Sequence, residues 1–131
     1  MVSELELARH PMANRIGPLY DTDSLRRRLG VDVASIDTGV QRGAILEVTT
    51  SDDHRLYPAF QLDGGGQALL PELPRVLAAL DPRRVDSWGD ATWLREIRAE
   101  LGVRSPAQAL RDGDADDVVA LARQAGALFA P

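Results

Sequence analysis

Between Asp21 and Gly43 the chain is punctuated so closely that only two short helices fit. Asp21 or Thr22 can cap a first helix with Leu25 and Leu29 on one face, and Gly30 can end it. Asp32 can cap a second helix with Val33, Ile36 and Val40 on one stripe and Gly43 as the stop. Only a Gly-Val turn separates them, so the segment predicts a helix-turn-helix.

The chain continues with Ala44–Thr50, rich in β-branched residues, then Ser51-Asp52-Asp53-His54, then Arg55-Leu56-Tyr57. That is a hairpin by composition and turn chemistry, and Pro58 either ends the pairing or marks an edge. Helix, turn, helix, hairpin is the order of a winged helix-turn-helix. Gly64-Gly65-Gly66 follows and permits almost any backbone path, so it reads as a hinge or as a tight exposed turn. A phosphate-cradling P-loop needs a Gly-Lys-Ser/Thr that does not follow.

The remaining half predicts helices. Pro71 suits the first turn of one running to about Leu80, with Leu73, Val76, Leu77 and Leu80 as its stripe. A second, from about Val85 to Leu101 with a break after Trp93, would carry Trp88, Leu94, Ile97 and Leu101 inward. Ser105-Pro106 caps and opens a short helix that Gly113 closes. Asp114 or Asp116 starts the last one, with Val118, Leu121, Ala122, Ala125 and Phe129 on one apolar face. The expected fold is mainly α with a small β-hairpin. Its divisions are a loosely packed tail (1–17), a winged helix-turn-helix-like unit (18–63), a glycine hinge (64–69) and a C-terminal helical domain (70–131).

Few residues suit chemistry. With no cysteine, disulfides, thiol nucleophiles and Cys-ligated zinc are excluded. His10 and His54 are too isolated for a triad or a metal cluster. Around Asp112, Asp114, Asp116 and Asp117 the glycine falls inside the acidic run and no terminal Glu appears, unlike a calcium loop, so these residues instead suit a helix N-terminus. The sequence therefore predicts no enzyme, metal or cofactor. No apolar run nears the roughly 20 residues of a membrane span, and acidic residues stand where a signal peptide carries positive charge. A cytoplasmic protein is expected.

Charge bears on partners. All 15 basic residues are arginine and the net charge is −5, which disfavours broad affinity for nucleic acid. Residues 18–63 hold five arginines against eight acids, a balance of −3. In a helix-turn-helix the second helix reads bases, which points to Ser35, Thr38, Gln41 and Arg42. A dimer that gathered Arg26, Arg28, Arg42 and Arg55 on one surface could add backbone contacts. Trp88 and Trp93 would lie about 140° apart on one helix. Either one fills the core and the other meets a partner, or both are buried between two subdomains.

The series Trp93-Leu94, Gly102, Ser105-Pro106, Ala109-Leu110, Gly113 and Val118 resembles the toxin-binding domain of the Xre/MbcA/ParS-type antitoxins, over about residues 70–131. The Tyr57-Pro58-Ala59-Phe60-Gln61 phrase after a short helix-turn-helix is similar to a branch of that family with a winged N-terminal half. The resemblance implies an antitoxin of a type II toxin–antitoxin system, binding a RES-domain toxin that degrades NAD as a homodimer or hetero-oligomer, with operator DNA as a further partner. It implies that Leu121, Ala125, Leu128, Phe129 and Pro131 contact the toxin. Trp88, Trp93, Leu94, Ser105, Pro106, Leu110, Gly113 and Val118 would define the domain. Two departures stand out: the charged, helical stretch Arg95–Glu100 replaces the family's Asn/Pro-containing loop, and the helix-turn-helix is short of basic residues.

Overall fold

Asp21 and Asp32 both turn a carboxylate back on the helix that follows, accepting from the Ser24 N–H at 2.7 Å and the Ser35 N–H at 2.9 Å. They open α1 (Thr22–Leu29) and α2 (Val33–Gln41). Gly30, in the left-handed region at φ 68°, ends α1 by donating to the Arg26 carbonyl. Ile36 is fully buried, whereas Val33, expected on the same stripe, is exposed at the first turn. The computed structural model describes residues 16–129, and of Phe129 the backbone alone.

The sheet departs from a simple hairpin. β1 (Leu19–Asp21), β2 (Val48–Thr49) and β3 (Arg55–Pro58) form an antiparallel sheet in the order β1-β3-β2. Tyr20 pairs with Tyr57 and Val48 with Leu56. β1 was not expected, because three residues are too few to show a period. β3 is central, and Pro58 is its last residue, so the missing donor ends the pairing. Of the strand expected over 44–50, only Val48 and Thr49 form. The Ala44 and Ile45 N–H groups donate to the Gly39 carbonyl at 2.8 and 3.1 Å, which folds this stretch onto the end of α2.

Gln61 completes the substitution of side chain for strand. It lies in a 3-10 turn (Ala59–Gln61) and is fully buried. Its Oε1 accepts from the Leu46 N–H at 2.8 Å, and its Nε2 donates to the Leu46 and Pro58 carbonyls, both at 3.0 Å. One amide thus satisfies both backbone groups of Leu46.

The glycine segment is the tight turn rather than a hinge. The Asp63 N–H donates to the Ala68 carbonyl at 2.8 Å, the Gly66 N–H donates to the Asp63 carbonyl at 2.9 Å, and Leu62 bridges Leu69. Gly66 takes φ 70°, which a side chain would disfavour. Beyond it come α3 (Leu73–Leu80), α4 (Ser87–Arg95), a 3-10 turn (Ala99–Leu101), α5 (Pro106–Arg111) and α6 (Ala115–Phe129). α6 lies so close to α3 that a methyl at Gly126 would strike the Ala79 carbonyl.

The helix expected over 85–101 stops at Arg95, where Glu96 becomes extended and Arg98 bridges Arg104. Ile97 therefore points outward, 69% exposed, against the inward position expected. Leu94 and Leu101 are buried as the spacing implies.

One hydrophobic cluster spans both halves. Ile16, Leu19, Leu46, Val48, Leu56 and Phe60 pack with Leu73, Val76, Leu94, Leu110, Val118 and Ala122. The core thus passes the glycine turn without a break. Ile16, assigned to a loose tail, is fully buried in it; residues 1–15 lie outside the described residues. A smaller cluster of Leu25, Ile36, Ile45, Tyr57 and Leu62 supports α1 and α2. Among the described residues, no helix is long and apolar enough to cross a membrane.

Replacing Gln61 by Ala leaves buried Leu46 groups without partners. It should cost about 2–4 kcal/mol in urea unfolding, whereas exposed Gln67→Ala should stay within about 0.5 kcal/mol. Equal stability of the Gln61 variant and the parent would contradict the role given to this amide.

Candidate nucleic-acid interface

α2 buries Ile36 and leaves its opposite side open. Ala34, Ser35, Thr38, Gln41 and Arg42 are all exposed, and their i, i+3, i+4, i+7 spacing puts them on one face. The face is polar and uncharged except for Arg42, which makes no ion pair among the described residues. Thr38, Gln41 and Arg42, with Ser35, are therefore brought together on one face.

The other arginines are not. Arg26 is tied to Asp23 at 2.8 Å, and Arg27 pairs with the same carboxylate. Arg28 turns away, its guanidinium 4.9 Å from the centre of the Tyr20 ring and 3.4 Å from the Gly66 carbonyl. Arg55 is gripped by Asp37 on α2 and by Glu47 at 2.8 Å. These two acceptors raise its pKa further above the ordinary arginine value. A surface gathering Arg26, Arg28, Arg42 and Arg55 is thus not present within this chain: Arg26 and Arg55 are neutralised locally. Asp37, in the middle of α2, receives Arg55.

Glu47 also accepts from the Tyr57 hydroxyl at 2.9 Å, and Thr22 lies 3.3 Å from that hydroxyl. Burial is the main reason the Tyr57 phenol is pushed up to about 12. This network joins α1, α2 and β3 beneath the exposed face and fixes how α2 is presented. The wing, the turn between β2 and β3, is acidic at Asp52 and Asp53 and exposed over residues 51–54, with Thr50 buried at its base.

The C-terminal residues singled out from sequence divide clearly. Leu94, Pro106, Leu110 and Val118 are buried; Ser105 caps α5, accepting from the Gln108 N–H at 3.1 Å; and Gly113 takes φ 90°. Both tryptophans pack half-buried on the main cluster. The Trp88 Nε1 donates to the Thr49 carbonyl at 2.9 Å, and Trp93 lies under the Arg98 guanidinium at 4.8 Å. Of the expected partner-contacting end, Leu121 and Ala125 are half-buried and Leu121 packs on the core, which leaves Leu128 exposed. The Phe129 side chain and Pro131 lie outside the described residues. Arg104 pairs with Asp112 and Asp114 at 3.0 and 2.8 Å, and Arg75 with Asp116 at 3.2 Å. Much of the acidic run is thereby engaged by arginine.

Sequence reading missed a carboxyl pair. Asp81 and Asp90 are both buried and hydrogen-bond to each other. Burial, then the Asp81 hydrogen bond and charge, push the Asp90 carboxyl up to about 8. Burial also works to raise Asp81, but hydrogen bonds from Asp90 and from the Asp86 and Val85 N–H groups, at 3.0 and 3.1 Å, outweigh it and hold Asp81 below its ordinary value. Below the raised value the pair shares one proton, and Asp81 ties the loop between α3 and α4 through the Val85 and Asp86 N–H groups. Asp81-Pro82 follows the end of α3, and nothing local in the sequence links it to Asp90.

No family model matches the chain, and no curated protein matches it. Among solved structures, the NMR structure of Rv2175c is similar, with a TM-score of 0.69 at 22% identity over 82% of this chain and 80% of that one. The two share a fold: mainly helical, winged-helix-like, with a small antiparallel sheet.

The Asp90 pair makes stability depend on pH. A carboxyl raised from 3.8 to about 8 on folding contributes stability that is complete below the unfolded value and lost as pH rises through the folded one. Unfolding free energy should therefore fall between about pH 4 and pH 8, by at most about 1.4 kcal/mol per pH unit. Asp90→Asn, which keeps a donor for Asp81, should flatten that slope and melt higher than the parent at pH 8. A slope unchanged by the substitution would contradict the assignment.

Proposed function

We propose that this chain is a non-enzymatic regulator that reads DNA through α2. The observation that carries this reading is the open face of Ser35, Thr38, Gln41 and Arg42 on the second helix of a winged helix-turn-helix. Hydroxyl, amide and guanidinium groups suit base edges in the major groove. The network of Asp37, Arg55, Glu47 and Tyr57 supports it by holding the helix from behind. The acidic wing and the net charge of −5 supply little general phosphate attraction, so recognition rests on base contacts and on pairing two copies over a two-fold site. The strongly perturbed carboxyl, Asp90, serves the loop between α3 and α4, which fits a binding protein.

Gel shifts with the chain's own upstream region test this. A complex at low salt is expected, with Arg42→Ala weakening it at least about fivefold, the lower end for loss of one base contact. No complex at low salt would overturn the reading.

A second reading rests on Leu128, 82% exposed at the end of α6. In it the C-terminal end docks on a RES-domain, NAD-degrading toxin, and the chain is its antitoxin, as a homodimer or a hetero-oligomer with the toxin. Co-expression with a RES-domain toxin encoded beside this gene should then rescue growth, and Leu128→Asp should abolish rescue without lowering the melting temperature. Unchanged rescue by that variant would remove this end as the docking segment.

A further inference from the structure

The Gly64–Gly66 turn forms one wall of a cavity of about 420 Å3. Arg28 from α1, Arg95 from the end of α4 and Arg111 from the end of α5 line it together, and none of the three makes an ion pair among the described residues. Their convergence is unusual in a chain of net charge −5, where Arg26, Arg55, Arg75 and Arg104 are each matched to a carboxylate. Among the described residues Asp63 is the one carboxylate in the lining, and its Oδ1 accepts from the Gly65 and Gln67 N–H groups at 3.1 and 3.4 Å. Three guanidinium charges against one carboxylate leave the described lining at +2.

Two of the guanidiniums are held in place. The Arg111 Nε donates to the Leu62 carbonyl at 2.9 Å, which leaves its terminal nitrogens for another acceptor. Arg28 is steadied by the Tyr20 ring and by the Gly66 carbonyl. Arg95 lies against Gly17, where a methyl group would come within 3.1 Å of its Nη2. A planar fork with fixed stems matches the oxygens of a phosphoryl group. The volume lies in the range of about 300–1,000 Å3 found for small-molecule sites.

We propose that this cavity binds a small phosphorylated ligand carrying at least two negative charges, of the pyrophosphate or nucleoside diphosphate class. No lining residue comes from α2 or from the β2–β3 turn, the parts a winged helix lays on DNA, so the site is separate from the face assigned to base reading.

Calorimetric titration of the full chain with sodium pyrophosphate and with ADP, against sodium chloride at equal ionic strength, tests it. Both ligands should bind with one site per chain. Arg95→Gln and Arg111→Gln should each weaken binding at least about tenfold, while Arg123→Gln on exposed α6 should leave it unchanged. Because Arg111 also holds the Leu62 carbonyl, circular dichroism melting accompanies each variant, and Arg95→Gln decides if Arg111→Gln is destabilised. The proposal is overturned by heats no larger than those of chloride, or by equal binding of parent and Arg95→Gln. Citrate competing as well as pyrophosphate would overturn the phosphoryl assignment. A single-stranded oligonucleotide binding through these arginines while ADP does not would overturn the small-ligand assignment.

Discussion

The fold depends on the amide of Gln61. A chain that must bring a helix-turn-helix, a small sheet and a helical layer into one core needs a place where the strand pattern can stop without orphaning buried backbone. At Leu46 that place is made by one side chain, which supplies a donor and an acceptor to the same residue and a further donor to Pro58. A neutral amide does this without burying charge, and its complete pairing offsets the cost of desolvation. Leu46 and Ile45 can then face different clusters, one under the helical layer and one under α1 and α2.

The charged groups follow the same logic of local matching. Asp37 and Glu47 hold Arg55, Arg104 holds Asp112 and Asp114, and one proton lets Asp81 and Asp90 share a buried position. Pairing of this kind adds modestly to stability at an exposed site. Its larger effect here is on which charges remain open. After the pairs are formed, Arg42 stands on the face of α2, and Arg28, Arg95 and Arg111 converge by the glycine turn. An acidic protein thus keeps, among its described residues, basic features of different geometry, one convex on α2 and one concave by the glycine turn.

Local signals were legible in the sequence, and contacts between distant residues were not. The caps Asp21, Asp32 and Ser105 and the stops Gly30 and Gly113 act within a few residues, so helix starts and ends could be read directly. Ser35, Thr38, Gln41 and Arg42 could be named from the helix-turn-helix order, in which the second helix reads bases. β1 is too short to show alternation, and the Ala44–Glu47 stretch has strand composition but bonds to Gly39 and Gln61 instead. Arg55 stood among the candidate DNA contacts because its partners lie 18 and 8 residues away. Burial of Gln61, of Ile16 and of the Asp81–Asp90 pair is likewise a property of the assembled core. Outward-facing Ile97 reflects a helix end at Arg95 that a continuous charged stretch conceals.

The ties across the glycine turn bear on modularity. Arg84 donates to the Val40 carbonyl at the end of α2, Trp88 to the Thr49 carbonyl beside the wing, and Arg111 to the Leu62 carbonyl behind the sheet. Each donor comes from the C-terminal layer and each acceptor from the N-terminal half. The helix-turn-helix is therefore braced from outside its own segment and does not form an exchangeable cassette. Recombination that swapped residues 18–63 between relatives would have to carry matching donors at three distant positions. Divergence in such a lineage is then expected to proceed by substitution on the open face of α2, not by shuffling of the unit that bears it.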